Sequence, residues 1–179
     1  MSEKKIPWHK NDALFKKELE SGLEWQRYVA EKIEALGYET EVPDLQFRKS
    51  IRDAKKFKDI ADIIVTHPDE ERVRFVAEVK SRRLTFKTAK SYPWPTVFID
   101  TVEGYHAKTT KPAIYVVVSR DSGACIAMPG ELTDSWGVTE TWDRVRQIKV
   151  TNYVSPKEDW TTLRRAVQGV HRNLSSARP

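Results

Sequence analysis

The sequence predicts a single α/β domain with a mixed β-sheet at its centre, and three observations carry that expectation. The first is size. A chain of 179 residues, 39% of them hydrophobic and including six tryptophans and six tyrosines, suits one domain with a substantial core and would cramp two. The second is order: a helical pattern is followed by three strand-like runs, a further short strand, a short helix, and then a strongly apolar strand. The third lies near the C-terminus. Trp160, Leu163, Val167, Val170 and Leu174 fall at i, i+3, i+7, i+10 and i+14, an apolar stripe that needs a sheet to cover.

Taken in order, residues 1–10 read as a flexible arm and residues 11–179 as the domain. Asn11 and Asp12 cap a long helix running to about Leu36, with Gly37 as its C-terminal stop. Tyr38–Val42 reads as a strand broken by Pro43 and Asp44, and the stretch to Lys58 fits no single element. Ile60–Thr66 is a strand, because Ile63, Ile64 and Val65 suit a buried pleated surface. His67–Glu71 is a turn. Val73–Lys80 alternates, with Val73, Phe75, Ala77 and Val79 on one face and Arg74, Val76, Glu78 and Lys80 on the other. After the break at Pro93-Trp94-Pro95 come a short strand, Thr96–Ile99, and a short helix, Asp100–Ala107; Asp100, at the end of that strand, either borders the site or, the preferred role, caps the helix. Ala113–Ser119 is a buried strand joined through Asp121, Ser122 and Gly123 to a partner at Ala124–Met128. A helical turn after Pro129, a strand near Gln147–Val154 and a helix from about Lys157 to Leu174 complete the chain.

Several classes are excluded. Cys125 has no partner, so a disulfide scaffold is out, and its apolar surroundings make it inert core. No apolar run approaches the ~18 residues of a membrane span, and the first residues lack a signal-peptide core. A soluble, cytoplasmic protein with no membrane partner is expected. The histidines His9, His67, His106 and His171 show no ligand spacing, so none supports a zinc site. There is no phosphate loop and no nucleophile elbow.

The 31 basic and 26 acidic side chains leave a formal charge of only +5, but the bases cluster. Arg48, Lys49, Arg52, Lys55, Lys56 and Lys58 face one acid, Asp53; Lys80, Arg82, Arg83, Lys87 and Lys90 face none. Such runs suit a polyanion, since each phosphate contact releases counterions. A solvated surface is the alternative for any charge run, including Arg164, Arg165 and Arg172 on the last helix. Tyr92 and Trp94 can either stack on bases or pack.

Between the two basic runs lies an acidic pair. Asp62 and Glu78 are equidistant from Glu70, so without a bulge the two strands place them opposite one another, Cβ atoms ~5 Å apart. Lys80, two residues past Glu78, projects from the same face. Facing carboxylates repel unless neutralised, and a hard divalent cation does so naturally, keeping waters and taking substrate phosphates. Such an ion acidifies a bound water and polarises a phosphoryl group, while a lysine beside it orients or deprotonates the water or offsets developing charge. This is the chemistry of phosphodiester hydrolysis. The alternative is a surface salt bridge of Lys80 with Glu78 or Asp62. Asp59 reads as a further acid at the start of its strand rather than a ligand.

Asp62-Ile63-Ile64-Val65, Glu78-Val79-Lys80 and the helix segment Gly22–Ala30, with Ile33 and Gly37, together resemble the PD-(D/E)xK nuclease superfamily, particularly its small Holliday-junction-resolvase-like and phage-encoded members. The resemblance covers about Gly22 to Ser119. It implies an α-β-β-β-α-β restriction-endonuclease-like core, with the C-terminal strands and helix as additions, and DNA cleavage dependent on Mg²⁺ or Mn²⁺. By it, Asp62 and Glu78 are metal ligands with the Val79 carbonyl as a third, and Lys80 is the catalytic lysine. Arg48, Lys49, Arg52, Lys55, Lys56, Arg82, Arg83, Lys87 and Lys90 would grip DNA. A homodimer, and host cytoplasm for a phage-encoded enzyme, follow from the same resemblance. In one respect the chain departs from the pattern: where relatives carry a helix-one glutamate, this sequence has Gln26, in the stripe of Leu19, Leu23, Ala30 and Ile33, while Glu24 falls nearly opposite. Gln26 can hydrogen-bond a metal-bound water or a phosphate, or be satisfied within the helix–sheet interface; it brings no charge.

Overall fold

A computed structural model of the chain describes residues 12–44, 61–143 and 148–177. The arm at 1–10, the basic residues Arg48, Lys49, Arg52, Lys55 and Lys56, and Asp59 lie outside them. The first element is α1 (Asp12–Glu34). It closes through a tight turn in which Gly37 takes φ +92°, a left-handed conformation that glycine adopts at no steric cost. Then come β1 (Glu39–Glu41), β2 (Ile63–His67), β3 (Glu70–Arg82), β4 (Thr96–Thr101), α2 (Val102–Ala107), β5 (Ile114–Ser119) and β6 (Cys125–Pro129). A 3-10 turn at Thr133–Ser135 leads to β7 (Gly137–Asp143) and β8 (Ile148–Pro156). A second such turn, Lys157–Asp159, precedes β9 (Thr161–Thr162) and α3 (Leu163–Ser176).

Two sheets result. The larger runs β1-β2-β3-β5-β6-β9, antiparallel throughout except for the parallel β3–β5 pair, so the fold is α/β with a mixed sheet, as predicted. The smaller, β4-β8-β7, is antiparallel. Alternation along β3 decides how the layers stack. Val73, Phe75, Ala77 and Val79 join Ile63, Val65, Ile114, Val116 and Val118 beneath Val29, Ala30 and Ile33 of α1 and Leu163, Val167 and Val170 of α3. On the other face Tyr115, Val117, Ile126 and Met128 pack against Val97 and Ile99 of β4, with Phe86, Tyr92 and Trp160. α1 and α3 thus cover one side of the large sheet, and the small sheet with α2 covers the other.

Three expectations need correcting. The strand expected from Ile60 begins at Ile63, leaving Asp62 in a bend at its mouth. The last helix begins at Leu163 rather than Lys157, because Thr162 caps it by accepting from the Arg165 N–H, and Trp160 belongs to the opposite layer, where its Nε1 donates to buried Ser155 Oγ at 2.7 Å. The short strand ending at Ile99 runs on to Thr101, and the cap of α2 is Thr101, whose Oγ1 accepts from Gly104 N, rather than Asp100. The strand expected near Gln147–Val154 is present as β8, but its hairpin partner β7 is an addition.

Candidate active site

The register of β2 on β3 pairs Ile63 with Ala77 and Ile64 with Val76, which puts Asp62 opposite Glu78 as the sequence predicts. The route differs from the bulge-free hairpin. His67 pairs with Glu70, and the ladder shifts between Thr66 and His67, so the residues between Glu70 and Arg74 are absorbed on β3. The turn is therefore tighter than a turn centred on Glu70, and the irregularity restores the pairing beyond it.

Because β2 starts at Ile63 while β3 continues to Arg82, the far end of β3 has no β2 partner, and Asp62 fills that gap. Its Oδ2 accepts the Val79 N–H at 2.7 Å and its Oδ1 accepts Gln26 Nε2 at 2.7 Å. Gln26 comes from the buried stripe of α1, whereas Glu24 is exposed, as the helical phase predicts. The Val79 carbonyl faces the same gap. Backbone groups alternate along a strand, and the carbonyls of Val76 and Arg82 accept from Ala113 and Arg120 on the β5 side, so those of odd-numbered residues between them point toward β2.

Glu78 and Lys80 pair with Tyr115 and Val117 and share their face, toward the small sheet. Glu78 is 4% exposed. Lys80 Nζ lies 2.5 Å from Glu78 Oε1 and 3.7 Å from Asp100 Oδ1. Lys108, just beyond α2, lies 2.5 Å from Asp100 Oδ2 and 3.6 Å from Glu78 Oε2. Two buried carboxylates and two ammonium groups thus form a closed ring, with Asp62 at its edge. Burial opposes the charge on Lys80, but Glu78, Asp100 and Asp62 together outweigh it and hold its pKa above the ordinary lysine value. Lys108 behaves likewise: burial opposes its charge, Glu78 and Asp100 favour it, and the net direction is upward. For Asp100 burial works against the carboxylate, and the two lysines with the Thr101 N–H win, lowering its pKa. Tyr115, beside the ring, has a buried hydroxyl pushed upward by burial and by Asp100 and Glu78.

The sequence offers Asp100 either as a residue bordering the site or, by preference, as a helix cap, and the first holds; Lys108 carries no signal. No local pattern marks Lys108; only its burial, at 8% exposure, sets it apart from a surface lysine.

The basic run after β3 divides. Arg83, Lys87 and Lys90 are exposed, while Arg82 is half-buried with its guanidinium 5.8 Å above the Phe98 ring. Tyr92 is buried in the second core and Trp94 is half exposed beside it, ring centroids 5.9 Å apart. Arg164, Arg165 and Arg172 are exposed. Burial pushes the Cys125 thiol up to about 11, which fits an inert cysteine. Among the described residues no helix is long and apolar enough to cross a membrane.

At the opposite end of the β2–β3 hairpin, His67, Glu70 and His171 gather with potential ligand atoms within 4.8 Å of one another, despite the lack of any spacing in sequence. Among the described residues this is the one triplet so close. Asp62, Glu78 and Asp100 do not form such a triplet, and Lys80 and Lys108 each lie within 4 Å of both Glu78 and Asp100. Comparison with family models, with curated proteins and with solved structures returns no match for this chain.

Proposed function

We propose that this protein is a metal-dependent DNA nuclease of the PD-(D/E)xK type, with a restriction-endonuclease-like core formed by α1, β1, β2, β3, α2 and β5. The observation that carries the reading is Asp62 held on the β2 side of β3 by Gln26 of α1 and the Val79 N–H, opposite Glu78 in register, with Lys80 bonded to Glu78 beside it. The donor set fits a hard cation. Asp62, Glu78 and the Val79 carbonyl offer only oxygen, and the spot already holds an ammonium charge among acids. Bound Mg²⁺ or Mn²⁺ supplies Lewis-acid polarisation of the scissile phosphate and a more acidic water.

The chain's own residues do the rest. Gln26 and the Val79 N–H fix the Asp62 carboxylate, so its orientation is set before substrate arrives. Three carboxylates hold the Lys80 pKa above its ordinary value, so its ammonium is placed to donate a hydrogen bond and offset phosphoryl charge. Asp100 on β4 and Lys108 just beyond α2 hold Glu78 and Lys80 in place. Arg83, Lys87 and Lys90 extend from the end of β3 as exposed cations for the DNA backbone.

A second reading has its own support. Lys80 and Lys108 already neutralise Glu78 and Asp100, so these acids need no ion to coexist, and Gln26 adds no charge. That arrangement suits a nucleic-acid-binding module that does not cleave. The test is a panel of end-labelled duplex, flap and junction DNAs incubated with Mn²⁺. Wild type is expected to give cleaved product, and Glu78→Gln and Lys80→Ala to give none while keeping the wild-type circular dichroism. DNA binding indifferent to divalent ions, with no product from any substrate, would instead establish the second reading.

A further inference from the structure

The hairpin turn and the last helix meet at a place the nuclease reading does not use. His67 ends β2, Glu70 opens β3 and His171 lies on α3, and the last two are 101 residues apart in the chain. We propose that His67, Glu70 and His171 form a transition-metal site, suited to Zn²⁺, that ties the β2–β3 turn to α3. It is distinct from the site at Asp62, which lies at the other end of β2, roughly 17 Å away at the rise of an extended strand.

The donor chemistry points to such an ion. Two imidazoles and one carboxylate are borderline ligands that suit zinc and its neighbours, whereas Mg²⁺ prefers an all-oxygen set. The groups around them hold these ligands in place. Glu70 Oε2 accepts from Ser175 Oγ at 2.7 Å, leaving Oε1 directed at His171 Nε2, 3.0 Å away. On the far side of that ring, Nδ1 lies 2.8 Å from the Tyr38 hydroxyl, whose oxygen can accept a hydrogen bond from Nδ1–H when Nε2 becomes a ligand. The His67 ring stands edge-on to His171, centroids 4.7 Å apart, in the turn at the rim. All three residues are half-buried, so an ion reaches them from solvent.

Geometry asks for little adjustment. Two ligands bound tetrahedrally at about 2.0–2.1 Å stand about 3.4 Å apart, so the Glu70–His171 pair must open by a few tenths of an ångström. The widest separation in the triplet, within 4.8 Å, must close by at most about 1.4 Å, within reach of a side-chain rotation at His67, whose Nδ1 accepts the Asp69 N–H at 3.2 Å. The fourth position is left to water. To bind, Nε2 of His171 must be the deprotonated ring nitrogen, which leaves the ring proton on Nδ1 toward the Tyr38 hydroxyl.

The experiment uses the full chain carrying Glu78→Gln, so that binding at the first site does not obscure the second. Zn²⁺ is titrated calorimetrically, and Co²⁺ is added separately to read its visible absorption. The expected result is one equivalent of Zn²⁺, a raised Tm at saturating metal, and the intense visible bands of four-coordinate Co²⁺. Adding His67→Ala should weaken Zn²⁺ binding at least tenfold with no change in circular dichroism, and Glu70→Gln should do the same if the turn substitution perturbs the hairpin. Absence of a one-equivalent Zn²⁺ isotherm, or binding unchanged in both variants, would overturn the proposal.

Discussion

Replacing Lys108 by methionine tests the ring of charges at the more buried of its two lysines. At an effective dielectric of 20, its ammonium is attracted by about 7 kcal/mol to Asp100 at 2.5 Å and by about 5 kcal/mol to Glu78 at 3.6 Å. Desolvation of Lys108, several kcal/mol, and repulsion from Lys80 offset much of this. Removal nevertheless leaves two buried carboxylates sharing one lysine, the situation in which breaking a buried pair costs about 3–5 kcal/mol. Lys108→Met should therefore lower the urea-derived stability at pH 7 by about 3 kcal/mol, and Tm by roughly 6–12 °C for a chain of this size. The pH dependence has a definite sign. The folded pKa of Asp100 is depressed, so its contribution is complete above the unfolded value of about 3.9 and disappears as pH falls through the folded value. In Lys108→Met that depression shrinks, and the acid limb should move to higher pH. The double variant Lys108→Met/Asp100→Leu, which removes both charges of the closest pair, should recover much of the loss at pH 7. A Lys108→Met protein as stable as wild type, or a double variant no better than the single, refutes the account of the ring.

Gln26→Glu places a carboxylate 2.7 Å from Asp62, where an amide now donates. Stability without divalent ions should fall by about 1–3 kcal/mol, and Mg²⁺ should restore it. Thermal melts with and without Mg²⁺ check this, and a loss that Mg²⁺ does not repair argues against an ion beside Asp62. Cys125, its thiol pushed up to about 11 by burial, should alkylate at pH 8 roughly a hundredfold more slowly than an unfolded cysteine of pKa about 8.5. Iodoacetamide labelling followed by mass gives the rate, and labelling as fast as in denatured protein would contradict that burial.

Much of the site was legible because it depends on local periodicity. The alternation of Val73–Lys80 places Glu78 and Lys80 on one face, and helical phase separates Gln26 from Glu24. Asp62 was matched to Glu78 by symmetry about Glu70, and the pairing holds although the hairpin carries an irregularity the argument assumed absent. What escaped was long-range. Asp100 and Lys108 belong to the ring only because β4 leaves the large sheet and pairs with β8, a partnership no local pattern announces. The His67–Glu70–His171 cluster escaped for the same reason, since its members come from a turn and a distant helix. Trp160 fits the apolar stripe of the last helix by spacing alone, and its indole N–H reaching Ser155 draws it into the other layer.

The pairing of β4 with β8 also fixes when the site can exist during synthesis. Glu78 and Lys80 are in place once β2 and β3 zip together, an early event between neighbours. Asp100 cannot take its final position until the chain has been made through β8, at Pro156. A nascent chain halted before that point holds the hairpin's acids without the scaffold that sets them, so this centre matures only after β8 has emerged from the ribosome.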